Sequence, residues 1–378
     1  MCRALCAAVC LFAASAPASA AVPTPAQAPV AIMVDLTSGQ VLQAREADRR
    51  FLPASITKVM TAFLAFELIE AGKLSPDASF SIRPETHAEW YRKGSTMFLP
   101  ADEPVTADNL IRGITTVSAN DGSIVLAESV AGAVDAWTVM MNDKAREIGM
   151  ASSHFGTPNG WPDEGKTFVT ARDLVTLAGT MIRRHPEKYS SYFGNKGFRY
   201  GGVGQDNHDP LIGVVDGADG IKTGFTNEAG FGFLGSAERD GRRLVMVVGG
   251  SPSEEVRAIA AQRFIEWGFS NFAAREMFPA NQRIGHAQVQ SGAQTSVGLI
   301  SANPVKISVP TGTDPKITMA IRYHGPLRAP IAAGEEVAKL EVTVEGMPVS
   351  YLPLVAEEDV GTANPLQHIY NGFHGWLN

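Results

Sequence analysis

The side chains able to do chemistry in this chain fall in three short strings. Ser55 and Lys58 stand in Ser55-Ile56-Thr57-Lys58, Ser118 and Asn120 in Ser118-Ala119-Asn120, and the third string is Lys222-Thr223-Gly224. A serine hydroxyl is a weak nucleophile and needs a base. Lys58 lies one helical turn after Ser55, so the two side chains share a face. A lysine amine acts as base only when its pKa falls, through burial or a neighbouring cation. Lys222 is the candidate neighbour. Ser118 is suited to relay a proton to a leaving amine, and Asn120 offers a donor and acceptors to a substrate amide. Lys222 and Thr223 suit a carboxylate, and Gly224 lets a substrate backbone come close. The N–H groups at the helix start by Ser55, with the N–H of Phe225, would make an oxyanion hole. Alone, each string is commonplace: a solvated helix lysine, a loop, a turn. Their order, with Pro53-Ala54 before the first, Asp121 after the second and Asp216-Gly217 before the third, carries the reading.

Elements must hold these groups in place. After Pro53-Ala54, Met60, Phe63, Leu64, Phe66 and Leu68 give the Ser55 segment the broad apolar surface of a buried helix. Lys222-Thr223-Gly224 reads as an edge strand lining a cleft. Strand–helix alternation with antiparallel-type hairpins runs to about Phe278, with a helical subregion around residues 60 to 190, and WGFSNFAAREMF reads as closing the last helix. From Pro279 the runs become short and alternating. In AKLEVTVEG, Leu340, Val342 and Val344 face one way and Lys339, Glu341, Thr343 and Glu345 the other, the pattern of a half-buried strand. Turns at Thr311-Gly312, Ala333-Gly334 and Glu345-Gly346 separate such runs, which predicts a small β-sandwich or barrel. At the end, Leu366, Ile369, Tyr370, Phe373, Trp376 and Leu377 recur at helical spacing behind Pro365.

The chain has 378 residues, enough for two domains, and 45% of them are hydrophobic. MCRALCAAVCLFAASAPASA has one charge, Arg3, an apolar run and a small-residue site at Ala18-Ser19-Ala20. It reads as a secretory signal peptide cut before Ala21. A transmembrane anchor fits less well, because the run is short and broken by Pro17; lipoprotein cleavage at Cys10 fits poorly. All three cysteines, Cys2, Cys6 and Cys10, lie in that segment, so disulfides and thiol chemistry are not expected of the mature chain. A net charge of −7 and no basic run argue against nucleic acid. No close histidine pair shares a helix face, so neither metal nor cofactor is expected. Asp121 reads as a group that caps or orients a helix.

With these motifs in hand, the chain resembles the D-alanyl-D-alanine carboxypeptidases, the low-molecular-mass penicillin-binding proteins of the bacterial envelope. AIMVDLTSGQVL, FLPASITKVMTAFLAFE, VSANDGSIVLAESVAG, HFGTPNGWPDEG and VDGADGIKTGFTNEAGFGFLGSA carry the likeness, closely over residues 29 to 275. The resemblance implies an α/β fold: a serine β-lactamase/transpeptidase-like domain, antiparallel sheet with helices and a helical subregion. A small all-β domain and a C-terminal amphipathic helix follow. The expected boundaries are a signal peptide at 1–20, a catalytic domain at 21–278, a β-sandwich at 279–360 and a membrane-anchoring helix at 361–378. Ser55 would be acylated, with Lys58 as base and Ser118 catalytic; Asn120, Lys222, Thr223, Gly224 and Phe225 would bind substrate. The implied activity removes the terminal D-alanine from peptidoglycan stem pentapeptides, with β-lactam antibiotics acylating the same serine. The implied place is periplasmic, attached to the inner-membrane surface by the C-terminal helix. Two departures stand out: Phe225 where members often carry histidine, and His208 where many carry arginine within Asn-Arg-Asn. Arginine is a fixed bidentate carboxylate partner and histidine is not. The alternatives are a D,D-endopeptidase, a serine β-lactamase and a non-catalytic penicillin-binding scaffold. The lactamase would need a loop glutamate, for which Glu164 lies in a suitable place but a different context.

Overall fold

The computed structural model describes residues 20–364. Val30–Asp35 is buried at all six positions, which only a strand covered on both faces can be. Alternate side chains leave a strand on opposite faces. Accordingly Val30, Ile32 and Val34 enter one core, and Ala31 and Met33 another. The same division sends Val245 and Val247 one way and Leu244, Met246 and Val248 the other. These strands belong to an antiparallel five-stranded sheet in the order Gln40–Arg45, Val30–Asp35, Arg242–Ser251, Gly230–Arg239, Ala218–Thr226. Ala218–Thr226 is therefore an edge strand, as expected of the segment carrying Lys222-Thr223-Gly224.

Helix Glu254–Asn271 covers one face through Ala261, Phe264 and Ile265. The other face packs on a helical region made of Lys58–Glu70, Ala107–Thr116, Asn120–Ala131, Val134–Glu147 and Ala171–Arg184. Met60, Phe63, Leu64, Phe66 and Leu68 are all buried, so Lys58–Glu70 is the enclosed helix its composition predicts.

The last helix ends earlier than expected. It stops at Asn271, and Phe272–Phe278 is a strand paired antiparallel with Val305–Pro310. Ala, Arg, Glu and Met give this stretch helical propensity, but ladder pairing supplied from a distant segment overrides so weak a preference. The change from the helix-covered sheet to the β-region thus falls at Asn271 and Phe272 rather than after residue 278. Beyond it, six strands form a second sheet in the order Ile317–Arg322, Glu336–Val344, Ser350–Ala356, Ser296–Ile300, Arg283–Gln290, Leu327–Arg328. Leu340, Val342 and Val344 point into its core with Val297, Leu299 and Leu354.

A buried polar cluster joins the two parts. Arg242 Nε donates to Asp35 Oδ2 at 2.7 Å, and its Nη1 donates to the Phe272 carbonyl at 2.7 Å. Ser308 Oγ donates to the same Asp35 oxygen at 2.6 Å, and Gln40 Nε2 donates to the Ser308 carbonyl at 3.1 Å.

The expected leader at 1–20 and terminal helix at 361–378 fall outside the described residues, apart from Ala20 and Gly361 to Asn364. Among the described residues, no single helix is long and apolar enough to cross a membrane.

Candidate active site

Ser55 lies in a single 3₁₀ turn, Ala54–Thr57, that runs directly into helix Lys58–Glu70. Side chains at i and i+3 eclipse in a 3₁₀ turn. That brings Lys58 Nζ to 2.9 Å from Ser55 Oγ. Lys58 is 1% exposed. Its remaining hydrogen bonds go to Asn120 Oδ1 at 2.8 Å and to the Asn159 carbonyl at 2.6 Å. Burial pushes its pKa well below the ordinary lysine value, and the nearby Lys222 charge pushes it further; Asp121 opposes them. Ala54 has φ 48° and Ser118 φ 63°, left-handed conformations in which non-glycine residues store about 1–3 kcal/mol each. Strain thus sits beside Ser55 and at Ser118 itself.

Asn120 opens helix Asn120–Ala131 and spends both ends of its amide on protein. Its Oδ1 holds Lys58, and its Nδ2 donates to the Lys93 carbonyl at 3.0 Å. It thus orients the lysine and a neighbouring segment, and the second N–H and second lone pair of its amide stay available where it lines the cleft. Asp121 has the orienting role expected. Its carboxylate accepts from Met97 N at 3.0 Å and Leu99 N at 3.2 Å, and burial raises its pKa despite those bonds.

The edge strand forms the facing wall. A methyl group on Gly224 would overlap the Pro53 carbonyl and press on Ile56, so the strand lies directly against the nucleophile turn. Gly160, at φ 72°, is held as closely from the other side, where a methyl would overlap the Ala54 carbonyl. Lys222 is buried and donates to the Thr223 carbonyl at 3.0 Å. Burial lowers its pKa to about 7, while Asp209 works in the opposite direction. Asp209 is itself raised to about 6 by burial, although it accepts backbone N–H bonds from Leu211 and Ile212.

A cleft of about 460 Å³ opens between these walls, lined by Ser55, Ser118, Asn120, Thr223, Gly224 and Phe225 among others. Six of the eight expected site residues thus meet on one surface, and Lys58 and Lys222 lie buried behind it. The Phe225 ring is 49% exposed and stacks on Phe231 at 4.1 Å, so its side chain points away from the buried machinery. His208 stands at the cleft rim.

Sequence reasoning missed three contributors. Asn159, within the quoted HFGTPNGWPDEG segment, gives a main-chain oxygen to Lys58; a Pro-Asn-Gly turn marks it, but nothing in its side chain does. Trp161 lines the cleft two residues on. Arg257, in the first turns of the helix behind the sheet, brings a guanidinium to the cleft, where it pairs with Glu254 at 3.0 Å. No sequence spacing connects Arg257 to the three strings; only the packing of that helix on the sheet does. Glu254 is the one carboxylate among the described cleft-lining residues, and Glu164 is exposed and absent from the lining.

An antiparallel sheet flanked by helices, with a cleft-lining serine in contact with a buried lysine between a second serine and an edge strand, defines a penicillin-recognising serine acyl-transfer fold. The profile of the D-alanyl-D-alanine carboxypeptidase family matches residues 16–253, and the C-terminal domain of penicillin-binding protein 5 matches residues 272–362. The chain belongs to this D-alanyl-D-alanine carboxypeptidase family. It is 30% identical to D-alanyl-D-alanine carboxypeptidase DacD of Salmonella typhimurium, over 90% of this chain and 88% of the relative. Penicillin binding protein 5 from Haemophilus influenzae superposes with a TM-score of 0.76 at 29% identity, covering 90% of this chain and 99% of that one. Penicillin-Binding Protein D2 from Listeria monocytogenes, solved in an ampicillin-bound form, matches with a TM-score of 0.58 at 28% identity over 65% of this chain and 98% of its own.

Proposed function

We propose that this protein is a serine-type D-Ala-D-Ala carboxypeptidase that trims peptidoglycan stem pentapeptides through an acyl-enzyme on Ser55. The observation that carries this reading is the 2.9 Å contact between Ser55 Oγ and the buried, pKa-depressed Lys58 Nζ. Neutral Lys58 takes the hydroxyl proton as Oγ attacks the carbonyl of the penultimate D-alanine. The N–H groups of Ser55 and Phe225 receive the charge developing on that oxygen, a role supported by the close approach of Gly224 to the nucleophile turn. The proton passes through Ser118 to the departing amine, and terminal D-alanine leaves. Water then cleaves the ester. Thr223, Arg257 and the positive charge of Lys222 favour the terminal carboxylate, with His208 a minor helper at the rim.

The cleft favours a carboxypeptidase over a β-lactamase, because its carboxylate, Glu254, is ion-paired to Arg257 and, among the described residues, no second acid lines it to activate water. Retention of both Ser55 and Lys58 in contact favours an enzyme over a silent scaffold. Incubation with a penicillin should add one acyl group, mapped to Ser55 by peptide mass, and a D-Ala-D-Ala pentapeptide should release free D-alanine. Full labelling of a Ser55→Ala protein would overturn the assignment. Cut dimers from crosslinked muropeptide, without D-alanine from pentapeptide, would favour the endopeptidase instead.

We further propose that the protein is exported and that residues 361–378 attach it to the inner-membrane surface. Supporting this, six apolar residues from Leu366 to Leu377 recur at helical spacing. A chain cut after Thr362 should keep activity on soluble peptide and no longer float with liposomes. Failure of the full chain to float would sink the attachment.

A further inference from the structure

Lys93 stands in a segment that none of the three strings marks. Its ammonium lies 4.4 Å from the Trp90 ring centre and 5.2 Å from that of Trp161, with Glu89 Oε1 at 3.1 Å. The two indoles meet edge to face at 5.5 Å. A cation over aromatic faces is attracted by both ring quadrupoles. The rings come from different stretches of chain, and each stretch ends on Lys58. On one side, the Lys93 carbonyl accepts from Asn120 Nδ2 at 3.0 Å and the Ser95 carbonyl accepts from Asn120 N at 2.8 Å. Asn120 Oδ1 in turn holds Lys58. On the other side, Trp161 N donates to Asn159 Oδ1 at 3.0 Å, and the Asn159 carbonyl holds Lys58. There is no slack between the two. A methyl on Gly94 would come within 2.9 Å of Asn120 Nδ2 and 3.0 Å of the Trp161 ring.

We propose that Lys93 is a positioning residue for catalysis: its ammonium, held against Trp90 and Trp161, ties together the two segments whose Asn120 and Asn159 oxygens aim Lys58 at Ser55. This rests on reading Ser55 as the acylated nucleophile and Lys58 as its base. Lys93 does not line the cleft, so it acts only through those segments. Two consequences follow for the base. Oxygen acceptors favour the charged form of a lysine, so slackening them makes Lys58 easier to deprotonate, while the charges that face it, Lys222 on the edge strand and Asp121 on the helix after Ser118, are unchanged. Looser placement also means that Nζ and Oγ spend less time in reactive contact. Loss of the clamp therefore lowers the plateau of the acylation rate and moves its acid limb to lower pH.

The test is the second-order rate of labelling by a fluorescent penicillin, measured across the pH range for the unaltered protein, Lys93→Met and Lys93→Arg. End-point labelling fixes the active fraction of each, so misfolded protein is not counted. Lys93→Met should lower the plateau about tenfold and shift the acid limb downward, an effect in the range of a partly desolvated cation–π contact. Lys93→Arg should restore both, since a guanidinium also stacks on indole. An acid limb that stays in place, or a loss that Lys93→Arg does not restore, overturns the clamp. If the unaltered protein takes no label, the Ser55 reading falls and this inference with it. A labelled parent beside an unchanged Lys93→Met refutes the clamp alone.

Discussion

Two clusters in this protein bury cations, and they treat them in opposite ways. At the seam between the sheets, Arg242 is 8% exposed and Asp35 1%. Arg242 meets Asp35, the Phe272 carbonyl and Ser308 Oγ, while Asp35 also accepts from Thr37 N and Ser38 N. Nearly every strong group has a partner. In the catalytic cluster, Lys58 and Lys222 are buried as deeply, yet among the described residues neither has an ion pair. Arg257 Nε, Asp209 Oδ2 and Thr57 Oγ1 nearby are buried without partners. A buried charge matched by an opposite charge holds structure together; one hydrogen-bonded only to neutral oxygens gives up its proton more easily and becomes chemistry. The same degree of burial serves stability in one place and reactivity in the other.

The sharpest break is Lys58→Met. Acylation should fall by about 10²–10⁴-fold, the usual contribution of a general base. Stability should change little, because removing a buried ammonium that has no opposite charge beside it offsets the cost, about 1–3 kcal/mol, of leaving the Asn120 and Asn159 oxygens without their donor. Labelling kinetics and thermal melts check the two halves, and a large loss of melting temperature would erase the contrast with the seam. Arg242→Met is the mirror experiment. It strands Asp35 and should cost about 3–5 kcal/mol in denaturant unfolding, while the folded fraction acylates at the parental rate.

Lys222 sharpens the comparison through pH. Its folded pKa of about 7 lies below the ordinary 10.5. Between those values the unfolded chain binds the proton and the folded one does not. This group therefore makes stability rise as pH climbs from about 7 to 10.5, and Lys222→Met should remove that slope. In kinetics the charge is needed for a carboxylate, so kcat/KM on a peptide with a free terminus should fall as pH passes about 7. A C-terminally amidated analogue should lack that limb. His208, Glu254 and Arg257 line the cleft and Asp209 acts on Lys222 through its charge; Asp209, with a pKa of about 6, titrates below this window. The smallest effects belong to the rim. Phe225→Leu and His208→Ala should each change turnover of a D-Ala-D-Ala peptide by about threefold or less, the scale of exposed contacts. A loss at His208 equal to that of Lys222→Met would invert the ranking.

Much of this was readable before any coordinates. The three strings located both serines and the edge strand because those side chains suit acyl transfer and their order matches the one the family resemblance implies. Alternation gave the inward face of Leu340, Val342 and Val344 because one side of that strand meets water. What stayed hidden depended on packing between distant segments. Asn159 acts through a carbonyl, which every residue possesses. Arg257 and Lys93 look like ordinary charged helix and loop residues until a neighbouring element is laid against them. Phe272–Phe278 misled for the same reason, since its partner strand lies near Ser308 and no local signal announces it.

The two glycines pressed against the nucleophile turn also limit how the cleft can change. Any side chain at Gly160 or Gly224 would collide with the main chain of Pro53 or Ala54, so neither wall can be thickened one mutation at a time. A lineage selected to keep out a bulky acylating drug while still admitting its small peptide would have to work elsewhere. Phe225, Trp161 and Ser95 line the same opening without that collision, and variation under such selection should gather there.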